Sequence, residues 1–84
     1  MMRVTILYFA WLRERIGLAQ EQLETDAATV TELVGELRAR SDRHALAFSD
    51  LAAIRVAIDQ DLADLDAPIT GAREIAFFPP MTGG

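Results

Sequence analysis

The stretch TVTELVGELRARS, Thr29 to Ser41, decides the fold. Val30, Leu33, Val34 and Leu37 recur at i, i+3, i+4 and i+7, so one face of a helix is apolar and must be buried. Thr29 stands where a hydroxyl caps the first free N–H groups, and Glu32, three residues on, completes the pattern of a capping box. Arg38 and Arg40 fall in the last turn, where cations oppose the negative helix end. Gly35 costs such a helix about 1 kcal/mol relative to Ala. It is expected to mark close packing against a sheet.

The sequence on either side supplies that sheet. RVTILYF (3–9) places Val4, Ile6 and Tyr8 on one face and Thr5, Leu7 and Phe9 on the other, which predicts a central strand covered at least partly on both sides. AWLRERIG (10–17) reads as a helix of about two turns, with Leu12 and Ile16 four apart and Gly17 suited to the left-handed closing position. LAQEQLET (18–25) is expected to be an edge strand with Leu23 inward. Beyond the main helix, SDRHALAFSD (41–50) reads as a polar connector anchored by Leu46 and Phe48, with His44 solvated. In AIRVAIDQDL (53–62), Ile54, Val56 and Ile58 alternate with Arg55, Ala57 and Asp59, and Asp59 and Gln60 form a turn. Asp66, Pro68 and Gly71 are turn formers, and Leu65 and Ile69 between them touch the core. EIAFFPP (74–80) points Ile75 and Phe77 inward and Glu74, Ala76 and Phe78 outward, until Pro79 and Pro80 remove two backbone donors. Two N-terminal strands, a helix across one sheet face and returning strands describe an α+β, ubiquitin-like β-grasp roll with a mixed sheet. Residues 1–78 form the domain, and residues 79–84 an extended tail.

Composition narrows what such a domain can do. At 84 residues there is one domain, which hides about 60 to 65% of its unfolded surface. The absence of cysteine excludes disulfides, thiolate metal sites and a thiol nucleophile. A net charge of -5 without a Lys/Arg cluster argues against nucleic acid. No apolar run is long enough for a membrane span, and the first residues read as a strand, not a secretory signal, so the cytoplasm is expected. All eight basic residues are arginine, so the chain cannot build lysine-linked chains of itself.

Conventional catalytic equipment is missing. His44 is alone and makes no metal site. DQDLADLD (59–66) lacks the sixth-position glycine and twelfth-position glutamate of a calcium loop, and reads as a solvated hairpin edge. Trp11 is expected to cover an edge of the core, whereas Phe78 is expected to anchor a partner surface with Ile69 or Leu62 nearby. The candidate for chemistry is the tail: Pro79 to Gly84 can reach about 20 Å when extended. Pro79 and Pro80 stiffen its base. Gly83 and Gly84 make the thinnest peptide, able to thread a narrow tunnel and present an unhindered carboxylate for adenylation.

AFFPPMTGG (76–84), joined to this order of elements, resembles the ubiquitin-like sulfur carriers that form the small subunit of molybdopterin synthase. The resemblance runs over essentially the whole chain. It implies that Gly84 is adenylated by a ubiquitin-activating-like enzyme using ATP and magnesium, then converted to a thiocarboxylate by a sulfurtransferase system. It further implies that the chain itself binds no cofactor and is the non-catalytic, sulfur-carrying member of an enzyme complex. The active-site pocket then lies on the large subunit, in a heterotetramer of two small and two large chains acting on cyclic pyranopterin monophosphate to build the molybdopterin dithiolene. By position, Gly84 carries sulfur, Gly83, Thr82 and Met81 are spacers with Met81 in an apolar groove, and Phe78, Pro79 and Pro80 meet the partner. The alternatives are a related carrier for thiazole or tRNA thiolation, a ubiquitin-like protein modifier, and a binding module whose tail is inert.

Overall fold

The computed structural model describes residues 1–80. Its elements run β1 (Met2–Tyr8), α1 (Trp11–Ile16), β2 (Gln20–Thr25), α2 (Val30–Arg38), α3 (Asp42–Ala47), a 3-10 turn (Leu51–Ala53), β3 (Arg55–Ile58), β4 (Asp61–Ala63) and β5 (Glu74–Phe78). The strands form one sheet in the order β2-β1-β5-β3-β4, with β1 and β5 parallel and the other neighbours antiparallel. The last strand therefore enters the middle of the sheet, which is the ubiquitin-like β-grasp arrangement implied by the order of elements.

The apolar stripe of α2 explains the packing. Val30, Leu33, Val34 and Leu37 are all buried and join Val4, Ile6, Tyr8, Ile75 and Phe77 in one core. Thr29 Oγ1 accepts from the Glu32 N–H at 3.3 Å, a cap that typically contributes about 1 kcal/mol. The Glu32 carboxylate accepts from the Ala28 N–H at 3.4 Å, so the box closes one residue before the cap. Gly35 does not pack against the sheet. It lies off the buried stripe, is exposed, and has open space where a Cβ would stand. Arg40 lies beyond the end of α2, and its guanidinium turns to Glu21.

In α1, Leu12 and Ile16 are buried, and Gly17 closes the helix at φ 89, donating its N–H to the Arg13 carbonyl. Trp11 is half-buried against the core, with the Arg15 guanidinium 4.5 Å from its ring centroid.

The connector expected after α2 is helical, and that changes which residues face inward. Ser41 caps α3, its Oγ accepting from the His44 N–H at 3.1 Å. On a helix, residues four apart share a face and residues two apart do not. His44 and Phe48 therefore point inward together, at 6% and 0% exposure, while Leu46 is 65% exposed. The expectations of a solvated His44 and an anchoring Leu46 are both corrected by this one change of period.

The second face of β1 is partly covered, as expected of a central strand. Val4, Ile6 and Tyr8 are fully buried, but Thr5 and Leu7 are half-buried, because the buried side chains of the helices join the core on the other face. Asp59 and Gln60, at φ 49 and 76, form the two-residue turn between β3 and β4. Asp59 Oδ1 accepts from the Arg73 and Glu74 N–H groups at 2.9 Å each, tying that turn to the start of β5. Among the described residues no helix is long and apolar enough to cross a membrane.

Candidate functional site

The site begins where β5 ends. Ile75 and Phe77 are fully buried, as their alternation requires, and Glu74 and Phe78 are half-buried. Phe77 is gripped by two aromatic rings: Tyr8 stacks on it at 6.4 Å between centroids, and Phe48 meets it edge-on at 5.0 Å. Its carbonyl accepts the Phe9 N–H at 3.1 Å. Phe78 turns to the opposite face, directly across from Arg55 of β3. Pro79 and Pro80 follow outside any strand, since neither has an N–H to give. The expectations for Met81, Thr82, Gly83 and Gly84 lie outside the described residues.

Beside this root the outer face of the sheet is apolar. Register places Leu7, Ala76, Ala57 and Leu62 in a row across β1, β5, β3 and β4. Directly opposed residues share a face. Ala57 and Ala76, only 9% and 8% exposed, lie low in the middle of the row, while Leu62, 79% exposed, stands up at its edge. Phe78 and the partly exposed Phe9 add aromatic surface near the tail. Ile69 is fully buried and belongs to the core, so of the two neighbours expected for Phe78 only Leu62 offers a contact surface. A flat apolar strip with projecting anchors suits a protein partner better than a small molecule.

Behind the root sits a polar cluster that sequence reasoning missed. The Glu21 side chain on β2 is 9% exposed and faces inward. Its Oε2 accepts from Tyr8 Oη at 2.7 Å and lies 2.7 Å from His44 Nε2. Arg40 Nη2 is 3.0 Å from its Oε1. His44 Nδ1 is 2.6 Å from Ser41 Oγ. Burial by itself raises the Glu21 pKa, but hydrogen bonds from His44 and Tyr8 and the charges of His44 and Arg40 outweigh it and hold the carboxyl below its ordinary value. Burial first, then the bond and charge of Glu21, push the Tyr8 phenol above its ordinary range. The missed signal was available, because Glu21, Leu23 and Thr25 share the inward period of β2.

This cluster gives a signed pH dependence. A carboxyl whose pKa is depressed by folding contributes stability above its unfolded value, and loses it as pH falls through the folded one. Acidification below about pH 4.3 is expected to destabilise the wild-type chain more steeply than Glu21→Gln. Urea midpoints measured down the acid range check this, and parallel profiles would count against it.

Among the described residues no group of three or more His, Cys, Asp or Glu side chains is placed to hold a metal ion. Open grooves mark the surface, one of about 450 Å³ bounded by Thr31, Leu51, Ile54 and Asp64. They lie apart from the tail root, except where Arg55 borders both.

A β-grasp sheet whose central strand runs out beside an open apolar face defines a class of small ubiquitin-like proteins. The chain belongs to the ThiS family, whose model matches residues 6–84. Among curated proteins it is 41% identical over 81 residues to the molybdopterin synthase sulfur carrier subunit of Escherichia coli K12, covering 96% of this chain and 99% of that one. The protein of the same name from Haemophilus influenzae is 42% identical over 81 residues, with the same coverage. Among solved structures, SAMP1 of Haloferax volcanii superposes with a TM-score of 0.74 at 25% identity, over 99% of this chain and all of that one. A second structure, of small archaeal modifier protein 1 from H. volcanii, gives a TM-score of 0.73 at 22% identity, over 96% of this chain and all of that one. These two likenesses extend the fold assignment across the whole domain.

Proposed function

We propose that the chain is the sulfur-carrying subunit of a molybdopterin synthase, with the Gly84 carboxylate as the group that carries sulfur. The observation that carries this reading is the identity of 41–42% over nearly the full length to two proteins of that name. The AFFPPMTGG ending supports it. An adenylating enzyme using ATP and magnesium activates the carboxylate as an acyl adenylate. The terminal sulfur of a persulfide on a sulfurtransferase then attacks the activated carbonyl and AMP leaves; a second thiol cleaves the resulting acyl disulfide, forming a disulfide with the sulfurtransferase sulfur and leaving the thiocarboxylate. The large subunit supplies the pocket in which this sulfur passes to cyclic pyranopterin monophosphate, and the complex is a two-plus-two heterotetramer. The open apolar strip with Leu62 and Phe78 is the docking face for these partners. A cysteine-free, acidic chain suits this division of labour: sulfur travels on the terminus, and recognition of an anionic pterin falls to basic groups elsewhere.

Intact-mass analysis of the chain purified under sulfur-replete conditions with its activating enzyme tests the reading. The expected result is the mass gained on replacing one oxygen with sulfur, localised to the C-terminal peptide. Unmodified chain throughout would sink it. Gly84 joined to lysines of other proteins would instead promote the modifier alternative, to which the Haloferax likeness lends its fold.

A further inference from the structure

The Glu21 cluster is an expensive feature for so small a core. A buried carboxylate is tolerated only when its oxygens are well satisfied, and here the donors come from β1, α3 and the segment after α2. Two of these donors, Tyr8 and His44, also belong to the grip on Phe77. Tyr8, held by Glu21, is the residue of β1 paired with Phe77, and its ring stacks on it. His44, held by the same carboxylate oxygen, accepts through its carbonyl the N–H of Phe48, whose ring meets both Phe77 and Tyr8, so that the three rings pack against one another. The His44 and Tyr8 rings themselves meet edge-on at 6.1 Å. The carboxylate thus holds Tyr8 directly, and Phe48 through the His44 backbone, the two rings against which the last inward residue of β5 is clamped.

We propose that Glu21, His44 and Tyr8 are positioning residues for the tail: the cluster they form fixes Phe77, and with it the direction in which Pro79 and Pro80 leave the sheet after Phe78. This rests on the carrier reading only for its purpose, presentation of the tail to the activating enzyme and the large subunit. When His44 is charged, Nε2–H and Nδ1–H donate to Glu21 and to Ser41 Oγ. When it is neutral, the Nε2–H bond to Glu21 is kept and the Ser41 hydroxyl turns to donate to Nδ1. All hydrogen bonds survive, but the ion pair across the clamp is lost. The charged and titratable groups around His44 are Tyr8 from β1, Glu21 from β2 and, through Glu21, Arg40; from α1, Arg13 Nε donates to the Tyr8 carbonyl at 3.4 Å.

Two measurements on the full chain test this. Isotope-edited NMR follows the His44 imidazole and the Phe77 and Phe78 amides through a pH titration of the wild type, so no variant need fold. The amides are expected to shift with the midpoint of His44, and to shift again at fixed pH in Tyr8→Phe, which keeps the ring and removes only the hydroxyl. Amides that ignore both changes overturn the proposal. In steady-state adenylation, His44→Ala is expected to raise the KM for the carrier about tenfold with kcat within about twofold, the scale of one lost charge-assisted hydrogen bond. His44→Gln, which restores a donor to Glu21 and an acceptor for Ser41, is expected to recover the wild-type KM. A merely structural role would lower the folded fraction and leave the KM of the folded carrier unmoved, and that result also overturns the proposal. If wild-type chain is not adenylated at all, the carrier reading fails, and the NMR titration still decides whether the clamp exists.

Discussion

A chain lacking Gly84 is expected to fold with unchanged stability and to deliver sulfur at least about a hundredfold more slowly. The stability half follows from where the core lies. Among the described residues the buried core runs from Val4 to Phe77 and pairing in β5 ends at Phe78, and the stability of the domain is expected to rest on these contacts. The loss of function does not come from losing a carboxylate, since Gly83 would then carry one. It comes from reach. One residue of extended chain spans about 3.3 Å, and a misplacement of about 1 Å at a reacting centre already lowers rates by about a hundredfold. The sheet cannot give that distance back, because Phe77 is packed against Tyr8 and Phe48 and paired in β5 with Tyr8 and Val56, and cannot slide toward the tail. Thermal unfolding beside single-turnover sulfur transfer checks both halves. Transfer by the shortened chain at the wild-type rate would remove Gly84 from the role proposed for it.

Much of this architecture could be read in the residues because local pattern and tertiary demand agree. In α2 the period of Val30, Leu33, Val34 and Leu37 is the period of burial, and in β5 the alternation of Ile75 and Phe77 is the alternation that the sheet imposes. The reading failed where a short segment carried two patterns at once. SDRHALAF holds Leu46 and Phe48 two apart, as a strand would, and His44 and Phe48 four apart, as a helix does. The Ser41 cap favours the helix locally, and the burial offered by Tyr8 and Glu21, far away in sequence, completes the choice. Glu21 was overlooked for a related reason. Its charge suggests solvent, and only the convergence of Tyr8, Arg40 and His44 makes its burial tolerable. The outer strip was half legible. Phe78 stands out in sequence, but the row from Leu7 to Leu62 exists only once the register is fixed, and Ile69 drops out of the surface for the same reason.

The two neighbouring phenylalanines should separate folding from binding. Phe77→Ala is expected to destabilise the domain by about 3 to 5 kcal/mol, because a fully buried ring is lost and the Tyr8 and Phe48 rings that flank it are left facing a cavity. A domain of 84 residues has a total stability of about 4 to 13 kcal/mol. The variant therefore sits near the edge of unfolding, and its melting temperature should fall by at least about 12 °C. Phe78→Ala removes a half-buried ring from the open face and leaves that core intact, so its denaturant midpoint should stay close to the wild type. Its affinity for the large subunit should instead drop by about thirtyfold, the size of one aromatic anchor lost from an interface. Urea unfolding with an unchanged slope, set beside calorimetric titration of the partner, measures both quantities on the same samples. If Phe78→Ala lost as much stability as Phe77→Ala, the outer face would be part of the core and not a docking strip. If Phe77→Ala bound its partner poorly only in proportion to its unfolded fraction, the inner ring would act through folding alone, while Phe78, one residue on and facing the other way, would carry the contact.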